Sequence, residues 1–397
     1  MPVLLDIIPE PAKPVDRPSH RRWLLFLVII MLIGAMLTFW NWAAERSGFI
    51  FWFTALGLPF CTWGLFFSLR RFAYKVEQVG VQSWNVEREK LLESEIFRGQ
   101  RSAWILGSSV LTKAGNGTAR LLSLMEEATP LMIVVQPRSG GAPVQHAALP
   151  AFQENTSTAL AGIISTVATY IQDIVTVLPD EVICWLMINC DNELSSMAEA
   201  AIYDELAEKT GKVYRRVSGS GMAAFDAWLD NRWDTPSIFI AVTISLRAEP
   251  KEGDTEAVTV FILSNRKADA YPDATRLHRP EKGITENLSR TLSRSLLWAN
   301  RQPETLAGSW ITGSVLTTGS QWNKACEDNA VTFSLTKDNK MIDPVLGYAG
   351  NASPWLAIAL AESTIDEREA QIIAAQSSPD KGDIWVVVIA KENIHKE

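Results

Sequence analysis

Histidine and cysteine are scarce, four of each in 397 residues. The cysteines, Cys61, Cys184, Cys190 and Cys326, form no Cys-x-x-Cys pair, and the histidines, His20, His146, His278 and His395, stand far apart. Such spacing suggests neither a zinc site nor a disulfide framework, and it fits a reducing compartment. Positive charge is not in excess: 37 Lys and Arg face 45 Asp and Glu, a net charge of -8. Without a basic field the chain has little electrostatic hold on phosphates, which argues against a nucleic-acid partner. No Gly-x-Gly-x-x-Gly fingerprint occurs, and no P-loop lysine follows the Gly219-Ser220-Gly221 run or the glycines Gly347 and Gly350. Both read as turns, and no cofactor is expected.

Long apolar runs are present. Trp23 to Ala44 and Phe49 to Leu69 each hold about twenty residues without a charge, the length that crosses a bilayer, and only four polar residues separate them. Lys13, Arg17, Arg21 and Arg22 precede the first run, and Arg70, Arg71 and Lys75 follow the second. Positive flanks stay on the cytoplasmic side, so residues 23–69 are expected to form a transmembrane hairpin with a cytoplasmic tail at 1–22. A cleaved signal peptide is disfavoured, because the first run is too long, lacks a small-residue cleavage site and is followed by a second span. The polar, helix-prone stretch 70–101 reads as a short connector to a domain at 102–397.

Within that domain, apolar runs alternate with helical patterns: AWILGSSVL, LMIVV, a helix from Thr158 to Val177, EVICWLMINC, a helix through MAEAAIYDELAEKTG, then SIFIAVTISL. This rhythm predicts an α/β fold with a sheet covered on both faces. SIFIAVTISL and EAVTVFILSN, separated by a polar turn, are expected to pair antiparallel as a hairpin at one sheet edge. WILGSSVLTKAGNG at Trp104 and WITGSVLTTGSQW at Trp310 are alike and hint at internal duplication. Fifteen tryptophans occur, and most fall on apolar faces, where they are expected to be core.

AWILGSSVLTKAGNGTARLLSLMEEATP resembles the opening of the β-ketoacyl synthases, members of the thiolase-like condensing enzymes. DEVICWLMIN and AIYDELAEKTGKVYRRVSGSGMAAFDAWLDNRWDTPSIFIAVTIS extend the likeness through that family's second strand, nucleophile elbow, buried helix and following strand. EPKEGDTEAVTVFILSN, SWITGSVLTTGSQWNKACEDNA and DPVLGYAGNASPWLAIALAE resemble its later hairpin and its two histidine loops. The resemblance implies a thiolase-like, duplicated αβαβα fold of five layers, with two separated sheets and the helix from about Gly221 to Asn231 buried between them through Met222, Ala223, Ala224 and Ala227. It also implies possible dimerisation.

The family's chemistry needs a cysteine at a helix N-terminus, where the dipole favours thiolate and backbone amides form an oxyanion hole, plus two side chains that activate the acyl donor. Here the cysteine position falls on Ser218, or on Gly219 if the elbow shifts by one. The first histidine loop, Ile311 to Ser320, carries Ser314 and no histidine, and the family's Gly-His is Gly347-Tyr348. An unactivated hydroxyl is a poor nucleophile, so Ser218 reads as a small turn residue and the chain as a pseudoenzyme. Cys190, closing a strand before Asp191, Asn192 and Glu193, reads as structural, since adjacent carboxylates raise a thiol's pKa. The stretch EREKLLESEIFRGQRSAWILGSSVLT is similar to the membrane-anchored lipase-adaptor proteins of bacterial type VI secretion. That resemblance implies an inner-membrane adaptor with its main domain in the cytoplasm, recruiting an effector protein before export. The competing expectation is a membrane-associated acyltransferase with Ser218 as nucleophile and Tyr348 as proton donor.

Overall fold

The computed structural model describes residues 3, 5–43, 46–149, 156–179, 181–190, 195–365, 369–378 and 381–391. Ala44, at the end of the first expected span, and Asp191, Asn192, Glu193 and His395 lie outside the described residues. The chain divides into two compact units, Leu4–Glu95 and Ile96–Glu397, the latter including Met1–Val3.

In the first unit, α1 (His20–Asn41) carries no charge after Arg22. Its apolar side chains are exposed all round, Leu24, Leu25, Met36 and Trp40 among them, a pattern that suits an apolar solvent. The second helix begins as α2 (Phe49–Trp52), passes through one π-helical stretch (Phe53–Gly57) and continues as α3 (Leu58–Gly99). The two helices approach closely: a Cβ on Gly34 would lie 2.1 Å from Pro59 Cγ, and Trp63 Nε1 donates to the Trp23 carbonyl at 2.9 Å. The tail lies along α3, where Arg88 donates to the Pro9 carbonyl at 2.6 Å. Among the described residues three helices are long and apolar enough to cross a membrane, His20–Asn41, Phe49–Gly99 and Ser157–Val175. The third packs in the core of the second unit. The expected second span and connector are one helix, because the polar stretch after Leu69 holds no proline to stop it.

The second unit is a mixed α/β fold around one large sheet. Its first half holds β1 (Ser102–Thr112), β2 (Gly115–Asn116), α4 (Ala119–Glu126), β3 (Ile133–Val135), β4 (Val144–His146), α5 (Thr156–Val175), β5 (Ile183–Cys190) and α6 (Ser195–Thr210). β6 (Tyr214–Arg216), α7 (Gly221–Asn231), β7 (Ser237–Ser245) and β8 (Ala257–Ser264) complete it. The second half holds β9 (Thr275–His278), β10 (Glu281–Gly283), α8 (Leu288–Ala299), β11 (Leu306–Thr312), α9 (Ser314–Thr317) and α10 (Gln321–Asp328). It ends with β12 (Asn339–Met341), α11 (Asp343–Leu346), α12 (Ser353–Thr364), β13 (Ala370–Ser378) and β14 (Lys381–Ala390). The main sheet runs β12-β11-β13-β14-β9-β1-β8-β7-β5-β6. Its halves share one plan: three parallel strands, one antiparallel strand, then the half's first strand.

Alternation along each strand sorts the core. Phe239, Ala241, Phe261 and Leu263 from one half, and Ile373, Ala375, Val387 and Ile389 from the other, enclose a single cluster with α7 and α12. The opposite faces pack outward, Ile238, Ile240 and Val260 against α5 and α6, and Ile372, Val386 and Val388 against α8 and α10. The order is therefore helix, sheet, helix, sheet, helix. α12 is apolar on every side because it lies in the middle layer, where burial covers Trp355 through Ala361.

Four expectations need correction. The two half-sheets are not separate: β1 and β9 pair antiparallel from Ser102↔His278 to Ile105↔Thr275 and join them. The β7–β8 hairpin forms, but inside the sheet, between β5 and β1, where full burial explains its unbroken apolar run. The like stretches at Trp104 and Trp310 are not equivalent, since β1 lies beside β9 where the half-sheets join and β11 lies between β12 and β13. Along α7, Met222, Ala224, Phe225, Trp228 and Leu229 are buried, whereas Ala223 is exposed and Ala227 half-buried.

Candidate functional site

The elbow follows β6, whose chain is pinned by a hydrogen bond from Val217 N to the Leu186 carbonyl at 3.1 Å. Gly219 and Gly221 take φ of +95° and +56°, which turns the chain into α7. Ser218, Gly219 and Ser220 are all exposed, and the Ser220 side chain does not cap the helix. Among the described residues no hydrogen bond joins Ser218 to Ser314 or Tyr348. A Cβ on Gly221 would meet open space, so backbone conformation rather than packing calls for glycine there.

The other two positions do converge. β11 ends at Thr312, whose hydroxyl donates to Asp343 Oδ1 at 2.6 Å, while Gly313 N donates to Oδ2 at 2.6 Å. Burial pushes the Asp343 carboxyl up, and those two hydrogen bonds partly restore it. Gly313, at φ +109°, lies against Gln376 so closely that a Cβ would be 2.3 Å from Gln376 Cβ. Val315 N donates to Gln376 Oε1 at 3.4 Å, and Tyr348 Oη donates to the Gln376 carbonyl at 3.1 Å. Gln376, at the end of β13, thus gathers the Ser314 and Tyr348 loops. Ser314 is exposed at the start of α9, and Tyr348 is half-buried. Backbone bonds seat the Tyr348 loop on the first half: Tyr348 N donates to Gly253 O at 2.8 Å and Thr255 N to Tyr348 O at 3.1 Å. An Arg247–Asp254 ion pair sits beside this seat, beneath Gly350.

The described histidines and cysteines are placed elsewhere. His146 is buried with Nδ1 2.9 Å from the Val144 carbonyl. His278 is buried at the β1–β9 joint, where burial, then Arg276 and Arg301, push it down to about 3. His20 opens α1. Cys190 is buried, and burial pushes the Cys326 thiol up to about 12. Among the described residues no three His, Cys, Asp or Glu side chains are grouped to hold a metal ion.

Similar solved structures have the same architecture. A ketosynthase/chain length factor of ishigamide synthesis superposes with a TM-score of 0.51 at 12% identity, over 73% of this chain and 99% of that one. Ketosynthase twelve of the bacillaene polyketide synthase of Bacillus amyloliquefaciens gives 0.53 at 9% identity, covering 74% of each chain. An oxazolomycin ketosynthase domain of Streptomyces albus gives 0.53 at 9%, over 73% of this chain and 75% of that one. The fold is ketosynthase-like. No family model and no curated protein matches the chain. Sequence reasoning missed Asp343 and Gln376, which organise the loops. An aspartate directly before a proline reads as an ordinary helix start, and a glutamine at a strand end carries no signal. It also missed Glu362, a lone acid in the apolar run LAIALAES, which a search for charge within apolar patterns would have found.

Proposed function

We propose that this ketosynthase-like domain is a non-catalytic protein-binding module, anchored by its helical hairpin in a bacterial inner membrane with the domain on the cytoplasmic side. The observation that carries the reading is the exposed Ser218 hydroxyl at the elbow, with no base in hydrogen-bond reach among the described residues. Tyr348 supports it: its hydroxyl donates to a main-chain carbonyl, a structural use for the residue that the sequence resemblance alone sets against a histidine. An elbow hydroxyl without a base partner does not favour nucleophilic chemistry, and a fold of this kind then serves most simply for binding. The partner class, a secreted effector, follows from the sequence resemblance to type VI lipase adaptors alone. A second copy of the chain is the other partner to look for.

The test is affinity purification of the full chain from membranes, wild type beside Ser218→Ala, with intact-mass analysis after exposure to an acyl-donor probe. The expected outcome is a protein partner retained equally by both forms and no adduct. Stoichiometric acylation that disappears in Ser218→Ala would replace the binding role with the acyltransferase one.

A further inference from the structure

α7 is an apolar helix with two acids on one side, Asp226 and Asp230, spaced four residues apart so that they lie on the same face. They crowd its C-terminal half, where the helix dipole disfavours negative charge. Three arginines from two other stretches of the chain offset this. Arg98, in the last turn of α3, holds Asp230 with two hydrogen bonds of 3.1 Å. Arg279, whose side chain is 2% exposed, lies 2.6 Å from Asp226 and 2.7 Å from Asp230. Arg101 donates to the carbonyls of Leu229 and Asp230 at 3.4 and 3.2 Å, closing the C-terminus of α7. Arg279 also donates to the Arg98 carbonyl at 3.0 Å, closing the C-terminus of α3. One ion cluster therefore terminates both helices.

The end of α3 is also seated sideways. A Cβ on Gly99 would lie 2.2 Å from Trp298 Cε3, so only glycine lets the chain rest on that ring. Gln100 Nε2 donates to the Leu297 carbonyl at 3.2 Å. At its other end α7 opens from the elbow, whose residues 218–220 are exposed and where a side chain at Gly221 would touch nothing. Between these ends runs a rod of 11 residues, about 16 Å long at 1.5 Å per residue.

We infer that the last turn of α3 and the whole of α7 move as one mechanical unit, so that a displacement of the chain at Ile96–Gly99 is delivered to the elbow at Ser218–Gly221. A buried carboxylate held by three cations resists separation, because removing one partner leaves charge poorly compensated. The helix is stiff and its middle is packed, Phe225 against Phe239 and Trp355 at ring distances of 5.8 and 6.2 Å. Motion that enters at the clamp therefore emerges where packing is absent. The elbow's conformation depends on the helix that reaches the domain, independently of which partner the domain binds.

Hydrogen exchange on the full chain in detergent tests this, comparing wild type, Arg98→Ala, Arg98→Lys and, as a control, Arg88→Ala. Exchange across residues 217–222 should rise about tenfold in Arg98→Ala, with β7 and α12 unchanged, and return most of the way in Arg98→Lys. Arg88→Ala should match wild type. A rise confined to residues 229–233 would overturn the coupling, and so would a rise spread equally over β7 and α12. If Arg98→Ala does not accumulate, Arg101→Gln, which loosens the same helix end through its carbonyls, is read by the same criteria.

Discussion

Glu362 is the single acidic side chain of α12, the helix at the centre of the five layers. Its Oε2 is buried with no hydrogen-bond partner among the described residues, and burial pushes the group up to about 7, against a smaller pull from a Ser108 hydrogen bond. Its folded value lies above the unfolded one, so the neutral acid is the form the fold favours. Stability from this group is complete below about pH 4.3, falls as pH rises toward 7, and stays low above that. His278 slopes the other way: held down to about 3, it favours the fold above about pH 6.5 and costs stability as acid protonates the unfolded ring. Glu362→Gln should therefore be more stable than wild type at pH 8, by up to about 3 kcal/mol, and the advantage should vanish near pH 4. Thermal melts of both proteins in detergent across that range check the sign. An advantage that does not change with pH would mean that repacking, not ionisation, separates them.

Short elements show where local pattern stops being informative. The long buried strands β7 and β8 were legible as apolar runs, and the elbow was legible from its glycines and the amphipathic helix after it. β9, β10 and β12, with sequences TRLH, EKG and NKM, have no periodicity of their own. They are strands because the long strands beside them offer unpaired backbone, so the joint between the half-sheets could not be read in advance. The loops divide the same way: the turns at Gly219 and Gly347 could be read from their glycines, whereas Gln376 matters only through what folding brings to it. Gly313 tests how tightly that gathering is built. Gly115 has nearly the same φ, +110° against +109°, but a Cβ there would meet nothing within 4 Å. Gly115→Ala should cost about 1–2 kcal/mol in backbone strain, and Gly313→Ala about 2 kcal/mol more through collision with Gln376, measured as the difference in denaturant midpoints. Equal losses would show that Gln376 moves aside freely.

For the whole molecule, the proposed orientation rests on Arg21, Arg22, Arg70 and Arg71 flanking two uncharged runs. A reporter active only in the periplasm, fused after Glu397, should stay silent, and its activity would reverse the orientation. The two apolar helices were legible because bilayer length is written in composition; their continuation to Gly99 was not, because a polar helix and a polar loop look alike until something stops the helix. The β1–β9 joint also bears on synthesis. β1 is the first strand of the domain to leave the ribosome, yet Arg276, which reaches back to the Ser102 hydroxyl, lies 174 positions further along. Its other neighbour, β8, begins at Ala257. While the intervening chain is being made, β1 has two open edges and a bare apolar face, and at 5–20 residues per second that interval lasts on the order of ten seconds. Contacts this distant in sequence form slowly, and an unpaired strand is open to mispairing meanwhile. The half-exposed glycine and serines at Gly107–Ser109 interrupt the apolar run of this earliest strand, which makes it less prone to mispair while it waits.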